Sequence, residues 1–330
     1  MTIDIFGLEE TKISRDLREK IITIYGNPKT GKTTIATQFP KSILLAAEKG
    51  YNALAGIKAQ PIHKWADFKK VLKQLEKPEA HDYFETIILD TVDLFYDMAE
   101  KYICGREGVD LIGDIPYGGG YKMLKQEFND ALRSIPMLNF GLVMISHSQT
   151  KTVSDSEGTE YSRTMPTLAD RPRLIVLGMS DIIGYAEGFL KDGEQKTVLH
   201  LRETARFEAG SRFKYTPNVI RFDYDSLVAA IADAIEKEAE EKGAKSVTDV
   251  AQNVYEAPKE VPFEDVKKEI DVTITELMKD KTEEEQNIIA PKIKKTIEAH
   301  LGKGKMLKDT TEDQRDHIEL VLGDLKELLS

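Results

Sequence analysis

The sequence has little cysteine, little histidine and no long apolar run. Cys104 is the one cysteine, which excludes an internal disulfide and an all-cysteine metal cage. The six histidines show no paired spacing typical of a zinc site. No apolar run approaches the roughly 18 residues that span a membrane, and the first residues lack the charged-then-apolar pattern of a secretion signal. We therefore expect a cytoplasmic protein with no membrane partner.

Negative charge is unevenly distributed along the chain. The formal net charge is −11, and residues 231–330 carry 16 Lys/Arg against 25 Asp/Glu. The preceding 230 residues are close to neutral, with a net charge of −2. This balance argues against a simple DNA-coating protein, although it does not exclude a local basic groove.

Apolar runs alternate with helical patterns from residue 21 to about residue 224, which is typical of a parallel sheet built from strand–helix–strand units. The predicted strands are 21–25, 42–46, 86–89, 141–146, 181–186 and 197–202. Helical periodicity fits 66–77, 91–103, 120–134 and 225–242. The sequence therefore predicts an α/β fold with a mostly parallel central sheet flanked by helices.

The pattern divides the chain into four parts. They are an N-terminal arm (1–20), the α/β core (21–242), a linker (243–262) and an acidic helical domain (263–330). The last part contains three amphipathic patterns, at 263–280, 283–301 and 311–329, and is a candidate surface for a protein partner. Within the core, the polar span from Ser148 to Pro166 is too long for a plain connector, so we expect a mobile loop or a hairpin.

A glycine-rich stretch lies between the first β-branched run and a helical pattern that starts at Thr33. It fits G-x-x-x-x-G-K-[ST], the phosphate-binding P-loop, and its glycines let successive backbone N–H groups point at an anion. Lys32 would reach the β- and γ-phosphates of ATP, and the Thr33 hydroxyl would bind Mg²⁺. An ordinary glycine turn is the alternative. The predicted nucleotide-binding residues are Gly26, Asn27, Pro28, Lys29, Thr30, Gly31, Lys32, Thr33 and Thr34.

Two acidic residues end predicted strands. With its strand beside the P-loop strand, Asp90 would hold Mg²⁺ together with Thr33; a helix-capping aspartate is the alternative. Glu48 follows the second strand, where it could orient and deprotonate the attacking water; a surface glutamate in a turn is the alternative. Thr91 follows Asp90 where many motor ATPases carry their catalytic glutamate, so Glu48 is the best candidate base.

Two further candidate functional sites lie later in the chain. His147 ends the fourth strand, where a polar side chain can contact the γ-phosphate and change the following loop after cleavage; a half-buried structural histidine is the alternative. The segment 200–221 is locally basic, and an arginine there can act as a finger on a neighbouring subunit's nucleotide.

The order of these motifs resembles the RecA-like P-loop NTPases encoded by phages, a group of AAA domain proteins that includes Sak-type recombination ATPases. The resemblance covers about residues 20–220 and extends through Tyr117–Tyr121 and Asp181–Tyr185. It implies a RecA-like core, Mg²⁺-dependent ATP hydrolysis, single-stranded DNA binding in recombination or replication, and an oligomer with nucleotide between subunits. Lys32, Glu48, His147 and Arg212 are the catalytic residues that it implies.

This chain departs from the related proteins at the candidate arginine finger. They carry a Lys-Asp-Arg-like segment where this chain has Gly210-Ser211-Arg212, so only the arginine is kept, with Arg206 in reserve.

The segments expected to face DNA are the glycine-rich loop before Lys122 and the stretch Ser148–Arg173. Their basic and aromatic residues are Lys151, Arg163, Arg171, Arg173, Tyr117, Tyr121 and Tyr161, which suit backbone contact and base stacking. Ordinary solvated loops are the alternative.

Two other functions remain open from the sequence. A P-loop kinase of a small metabolite or nucleoside would use the stretch Ser148–Arg173 as a lid. A nucleotide-switched assembly or loading factor would use its acidic helices to recruit a partner.

Overall fold

The computed structural model describes residues 12–15, 17–154, 158–243, 247–248 and 261–329. The chain forms two compact units, Thr2–Tyr255 and Glu256–Ser330. Most of the predicted arm 1–20 and of the predicted linker 243–262 lies outside the described residues.

The larger unit combines a β-sheet with helices. Its strands are β1 (Ile13–Ser14), β2 (Ile21–Gly26), β3 (Ser42–Ala46), β4 (Lys58–Pro61), β5 (Thr86–Asp90), β6 (Gly141–Ser154), β7 (Glu160–Pro166), β8 (Ile182–Lys191), β9 (Glu194–His200), β10 (Gly210–Ser211), β11 (Val219–Arg221) and β12 (Val247–Thr248). Its helices are α1 (Lys32–Ala36), α2 (Trp65–Leu75), α3 (Ala80–Tyr83), α4 (Val92–Glu107), α5 (Gly119–Met137), α6 (Asp170–Met179) and α7 (Tyr224–Lys242). Strand β4 and the bounds of α6 were not predicted.

Among the described residues, ten strands form one sheet in the order β11-β9-β8-β2-β6-β5-β3-β4, with β7 beside β6 and β10 beside β8. The pairs that join β8, β2, β6, β5, β3 and β4 are all parallel. This arrangement confirms the predicted α/β class with a mostly parallel central sheet.

Strand order corrects two expectations. The Asp90 strand β5 does not lie beside the P-loop strand β2, because β6 is inserted between them. The strand predicted at 197–202 is β9, which forms an antiparallel hairpin with β8 rather than another parallel strand. Two residues, Asp192 and Gly193, join β8 to β9, and so short a connection reverses the chain instead of allowing a crossover.

Central strands are buried on both faces. Leu44 and Leu45, like Ile87 and Ile88, are consecutive residues that are fully buried on opposite faces of the sheet. Helices α2, α4, α5 and α6 cover one face, and α1 and α7 cover the other. Double burial explains the continuous apolar runs that identified these strands in the sequence.

The polar span Ser148–Pro166 is a hairpin, one of the two alternatives expected. Strand β6 continues to Ser154, and β7 returns antiparallel to it, with Ser148 opposite Pro166 and Ser154 opposite Glu160. The hairpin therefore starts at the carboxyl edge of the parallel sheet, at Ser148, directly after the part of β6 that pairs with the P-loop strand β2.

The smaller unit is helical. It contains α8 (Phe263–Met278), α9 (Glu283–Leu301) and α10 (Arg315–Glu327), close to the three predicted patterns. These helices share their own apolar core, which includes Ile270 and Ile318. In the described part of the chain no helix is both long and apolar enough to span a bilayer.

Candidate functional site

The glycine-rich turn connects β2 to α1 as the motif requires. Gly31 has φ 93°, and Lys29 also has a positive φ of 65°. Gly26 lies against β8, where an added Cβ would overlap the carbonyl oxygen of Ala186. Helix α1 begins at Lys32, one residue before the predicted start at Thr33, and ends at Ala36.

Lys32 folds back onto this turn. Its Nζ donates hydrogen bonds to the carbonyl oxygens of Gly26 (2.9 Å) and Asn27 (2.8 Å). The side chain is buried, and burial lowers the pKa of Lys32 to about 8, although Asp90, Glu48 and Asp93 oppose that change. The ammonium group is thus held against the turn by two carbonyl oxygens, and three carboxylates act on it electrostatically.

Thr33 of α1 and Asp90 of β5 meet although β2, the strand that leads into α1, is not a neighbour of β5. The Thr33 hydroxyl donates to Asp90 Oδ1 over 3.3 Å. Burial raises the pKa of Asp90, and the Thr33 hydrogen bond counteracts part of this effect. Mg²⁺ prefers oxygen ligands and is usually bound by one or two carboxylates together with phosphate oxygens, so this oxygen pair fits the ion.

A complete protein cage for a metal is absent from the described residues. No group of three or more His, Cys, Asp or Glu side chains there could hold an ion. A cation at Thr33 and Asp90 would therefore depend on oxygens from a bound phosphate or from water to complete its shell.

Glu48 lies directly after β3, at the same edge of the sheet. Its Oε1 is 3.9 Å from Nε2 of His147, and the side chain is 46% exposed. The Glu48 charge raises the pKa of both Lys32 and Asp90, which places it electrostatically within the same cluster. The structure thus brings together Lys32, Asp90, Glu48 and His147.

His147 pairs with Gly26 in the register of β6 and β2, so it lies beside the start of the turn. Its Nδ1 is buried and has no hydrogen-bond partner among the described residues. The next residue, Ser148, donates from Oγ to Oδ1 of Asn27 over 2.7 Å. The turn and the root of the β6–β7 hairpin are therefore directly joined.

Two residues of this cluster were not predicted. Thr167, after β7, donates from Oγ1 to Asp93 Oδ1 over 2.6 Å and from its backbone N to the His147 carbonyl over 2.9 Å. The other carboxylate oxygen of Asp93 is buried without a partner among the described residues. Asp93 lies three residues after Asp90, and Thr91 between them has φ 63°, a strained value for a β-branched residue.

The remaining residues of the motif shape the turn. Thr30 is buried and donates from Oγ1 to the Asn27 carbonyl over 2.9 Å, whereas Pro28, Lys29 and Thr34 are exposed. The ring of Phe222, just after β11, borders Gly31, since its Cε1 would lie 3.7 Å from an added Cβ there.

Arg212 lies at the opposite edge of the sheet. Its Nη1 is 3.0 Å from Asp181 Oδ1, and Asp181 Oδ2 accepts a hydrogen bond from the backbone N of Ile21, where β2 begins. The six residues of β2 separate that edge from Gly26, a span of about 16 Å. Arg212 is therefore remote from the turn of its own chain, and a role at a neighbour's nucleotide stays a prediction. The backbone carbonyl of Arg206, the reserve candidate for the arginine finger, accepts a hydrogen bond from the backbone N of Thr164 in β7.

The cations expected to face DNA differ in their surroundings. Arg163 forms an ion pair with Glu203, and Arg173 forms one with Glu208. Lys151 is exposed on the hairpin. Arg171 instead stacks over the ring of Tyr121, with Cζ 4.0 Å from the ring centroid.

Comparison with known proteins is consistent with this geometry. The AAA domain family matches residues 18–213, which include the whole cluster. A SPbeta prophage-derived uncharacterized protein, YorG, from Bacillus subtilis (strain 168), is 33% identical over the full length of both chains. The flagellar accessory protein FlaH from Methanocaldococcus jannaschii gives a TM-score of 0.31 at 10% identity, covering 58% of this chain and 80% of its own, a likeness too weak to inform on fold or function. On the family match and the full-length relative, the chain belongs to the AAA domain family of P-loop NTPases.

Proposed function

We propose that this protein is a Mg²⁺-dependent ATPase that acts on single-stranded DNA in phage recombination or replication. The convergence of Lys32, Thr33, Asp90, Glu48 and His147 at one edge of the sheet carries the enzymatic part of the proposal. A phosphate-binding turn, an oxygen pair suited to Mg²⁺ and a carboxylate beside a histidine are the parts that phosphoryl transfer to water requires.

Lys32 and the backbone of the turn bind the phosphates in this proposal. The Lys32 ammonium exchanges its bonds to the Gly26 and Asn27 carbonyls for bonds to phosphate oxygens. Thr33 and Asp90 hold Mg²⁺, which when bound neutralises charge on the phosphate oxygens.

Glu48 is the proposed base. It orients a water molecule and accepts its proton while the water oxygen bonds to the γ-phosphorus and the bond to the β-phosphate oxygen breaks, giving ADP and inorganic phosphate. His147, 3.9 Å from Glu48, contacts the γ-phosphate and transmits its loss to the hairpin that follows.

Two substitutions test the enzymatic part. Lys32→Ala should abolish ATP hydrolysis, and Glu48→Gln should retain ATP binding while turnover falls by about 100-fold or more. Glu240→Gln, on the exposed side of α7, is the matched control. Full turnover by the Glu48 variant would remove Glu48 from this role, and phosphate transferred to an added acceptor instead of released would favour a kinase.

The DNA part of the proposal is supported by the prophage origin of the YorG relative and by the exposed Lys151 on the hairpin joined to the turn. ATP should strengthen binding to a labelled single-stranded oligonucleotide, and the affinity should fall steeply with salt because phosphate contacts release counterions. Affinity that is unaffected by ATP and by salt would contradict this part.

We also propose a homo-oligomer with nucleotide between subunits and a protein partner for the acidic helices. Sedimentation with and without a non-hydrolysable ATP analogue tests the first, and a nucleotide-independent monomer would contradict it. Pull-down with and without residues 243–330 tests the second, and an unchanged set of captured proteins would contradict it.

A further inference from the structure

A groove of about 890 Å³ lies between α5 and α6, and none of its lining residues belongs to the nucleotide cluster, that is Lys32, Thr33, Asp90, Glu48 and His147. Four cations line it against one acidic residue, Asp130. The cations are Lys122, Lys125, Arg133 and Arg171. This local excess of positive charge contrasts with the net charge of −11 of the whole chain.

In the part of the chain that the structure describes, the four groove cations are not paired with carboxylates. Within the described residues, none of the four has a carboxylate partner of the kind that Arg163 and Arg173 have in Glu203 and Glu208. Arg133 donates from Nε to the neutral amide oxygen of Asn129 over 2.9 Å. Lys125 and Arg133 are exposed, two helical turns apart on the same side of α5.

Aromatic and apolar groups accompany the charges. The ring of Tyr121 is 38% exposed beneath the Arg171 guanidinium, and Leu174 of α6 is 72% exposed in the same groove. Tyr117 lies just before α5, fully exposed, with φ 58°. Cations beside exposed rings are the combination with which proteins bind single strands, through phosphates and stacked bases.

The groove is also connected to the nucleotide cluster. Helix α6 begins three residues after Thr167, which bonds to Asp93 and to the His147 carbonyl. At the other end of α6, the Gly178 carbonyl accepts a hydrogen bond from Arg212 Nη2 over 3.2 Å. Helix α6, which lines the groove, therefore starts three residues after Thr167, a residue that bonds to the cluster. Its last turn lies next to a further exposed cation, Arg212.

We propose that the α5–α6 groove is the binding track for single-stranded DNA, with the backbone on Lys125 and Arg133 and a base stacked at Tyr121. This inference rests on the proposed function. It assigns the main DNA contacts to a helical groove and leaves the β6–β7 hairpin, whose Arg163 is paired with Glu203, a secondary contact through Lys151.

Charge reversal in the full-length protein tests the groove. Anisotropy of a fluorescein-labelled oligo(dT) should report at least fivefold weaker binding for Lys125→Glu and for Arg133→Glu, with the salt slope reduced by about 1 for each. The matched control is Lys237→Glu, an exposed lysine of α7 on the opposite face of the sheet, which should bind as the wild type does. Lys151→Glu on the hairpin should have a smaller effect than either groove variant.

The ring has its own test. Tyr121→Ala should weaken binding at least threefold, and Tyr121→Phe should bind as the wild type does, because stacking needs the ring and not the hydroxyl.

Helical circular dichroism checks that each variant is folded, and Lys125→Gln, a milder change, should weaken binding less than Lys125→Glu. Wild-type affinity in both charge-reversed groove variants would contradict DNA binding in this groove and leave the proposed function unaffected. Failure of the wild type to bind the oligonucleotide while it hydrolyses ATP would overturn the DNA part of the proposed function as well.

Discussion

Lys32 is 5% exposed, which is unusual for a lysine. Burial lowers its pKa to about 8, so the folded protein holds this proton less tightly than the unfolded chain, where lysine has a pKa of about 10.4. Between these two values the unfolded state binds more protons, and stability must therefore rise with pH.

The free energy of unfolding should show this linkage. From pH 8 to pH 10 the wild type should gain up to about 1.4 kcal/mol per pH unit relative to Lys32→Met, measured by urea denaturation. Lys237→Met, which removes an exposed lysine, should show no such pH-dependent difference. A Lys32→Met difference that is constant over this range would contradict the depressed pKa.

The two glycines of the turn, Gly26 and Gly31, are required for different structural reasons. Gly26→Ala should lower the free energy of unfolding by about 1–3 kcal/mol, because its Cβ would overlap the Ala186 carbonyl. Gly31→Ala should cost about 1–2 kcal/mol through its positive φ, since the added Cβ would make only an ordinary van der Waals contact with Phe222, at 3.7 Å. Gly105→Ala in α4, which meets nothing within 4 Å, should instead stabilise by about 0.5–1 kcal/mol. Equal effects of all three would contradict this assignment.

At the residue scale, the strand ends could be predicted and their long-range partners could not. Glu48, Asp90 and His147 follow apolar runs, and the carboxyl ends of parallel strands meet at one edge. The Thr167–Asp93 bond joins residues 74 apart in sequence, and neither residue carries a local signal for the other. The roles of the predicted residues stay predictions until the variants are measured.

At the scale of elements, periodicity predicted most strands but not their order. The inserted strand β6 explains how His147, rather than Asp90, comes to lie beside Gly26. Apolar runs identify a buried strand whichever neighbour it has, so order depends on crossovers that the sequence does not specify. Strand β4, with its alternating and partly exposed residues, gave no continuous run to recognise.

The Ser148–Asn27 hydrogen bond should couple nucleotide to the β6–β7 hairpin. A non-hydrolysable ATP analogue should slow amide hydrogen exchange in residues 148–154, and Ser148→Ala should reduce that slowing, because it removes the 2.7 Å bond to the turn. Ser162→Ala, exposed on β7 opposite Thr152, is the control and should exchange as the wild type does. Identical analogue-dependent slowing in the Ser148 variant would exclude this bond as the link.

On the scale of the whole molecule, the chain consists of two units with separate cores. Among its described residues, nine buried apolar side chains form the core of the smaller unit, and a capping box at Thr282 and Glu285 starts its second helix. Amphipathic periodicity predicted these helices well because each buries one face only.

The smaller unit should therefore fold alone, although its size is near the lower limit for an independent core. A fragment of residues 256–330 should show helical circular dichroism and a cooperative thermal transition. Ile270→Asp, at a fully buried position, should abolish the transition, while Val272→Asp, 55% exposed, should retain it. A fragment without a transition would mean that its core requires the rest of the chain.

Strand β2 is fixed at both of its ends by different neighbours. Asp181 accepts a hydrogen bond from the backbone of Ile21 at the start, and Gly26 lies against Ala186 at the finish. A slip of one residue would break both contacts and exchange the strand's two faces. The turn that follows β2 is therefore held in place through its strand, and in the proposed ATPase cycle we expect the movements to come from the segments around that turn.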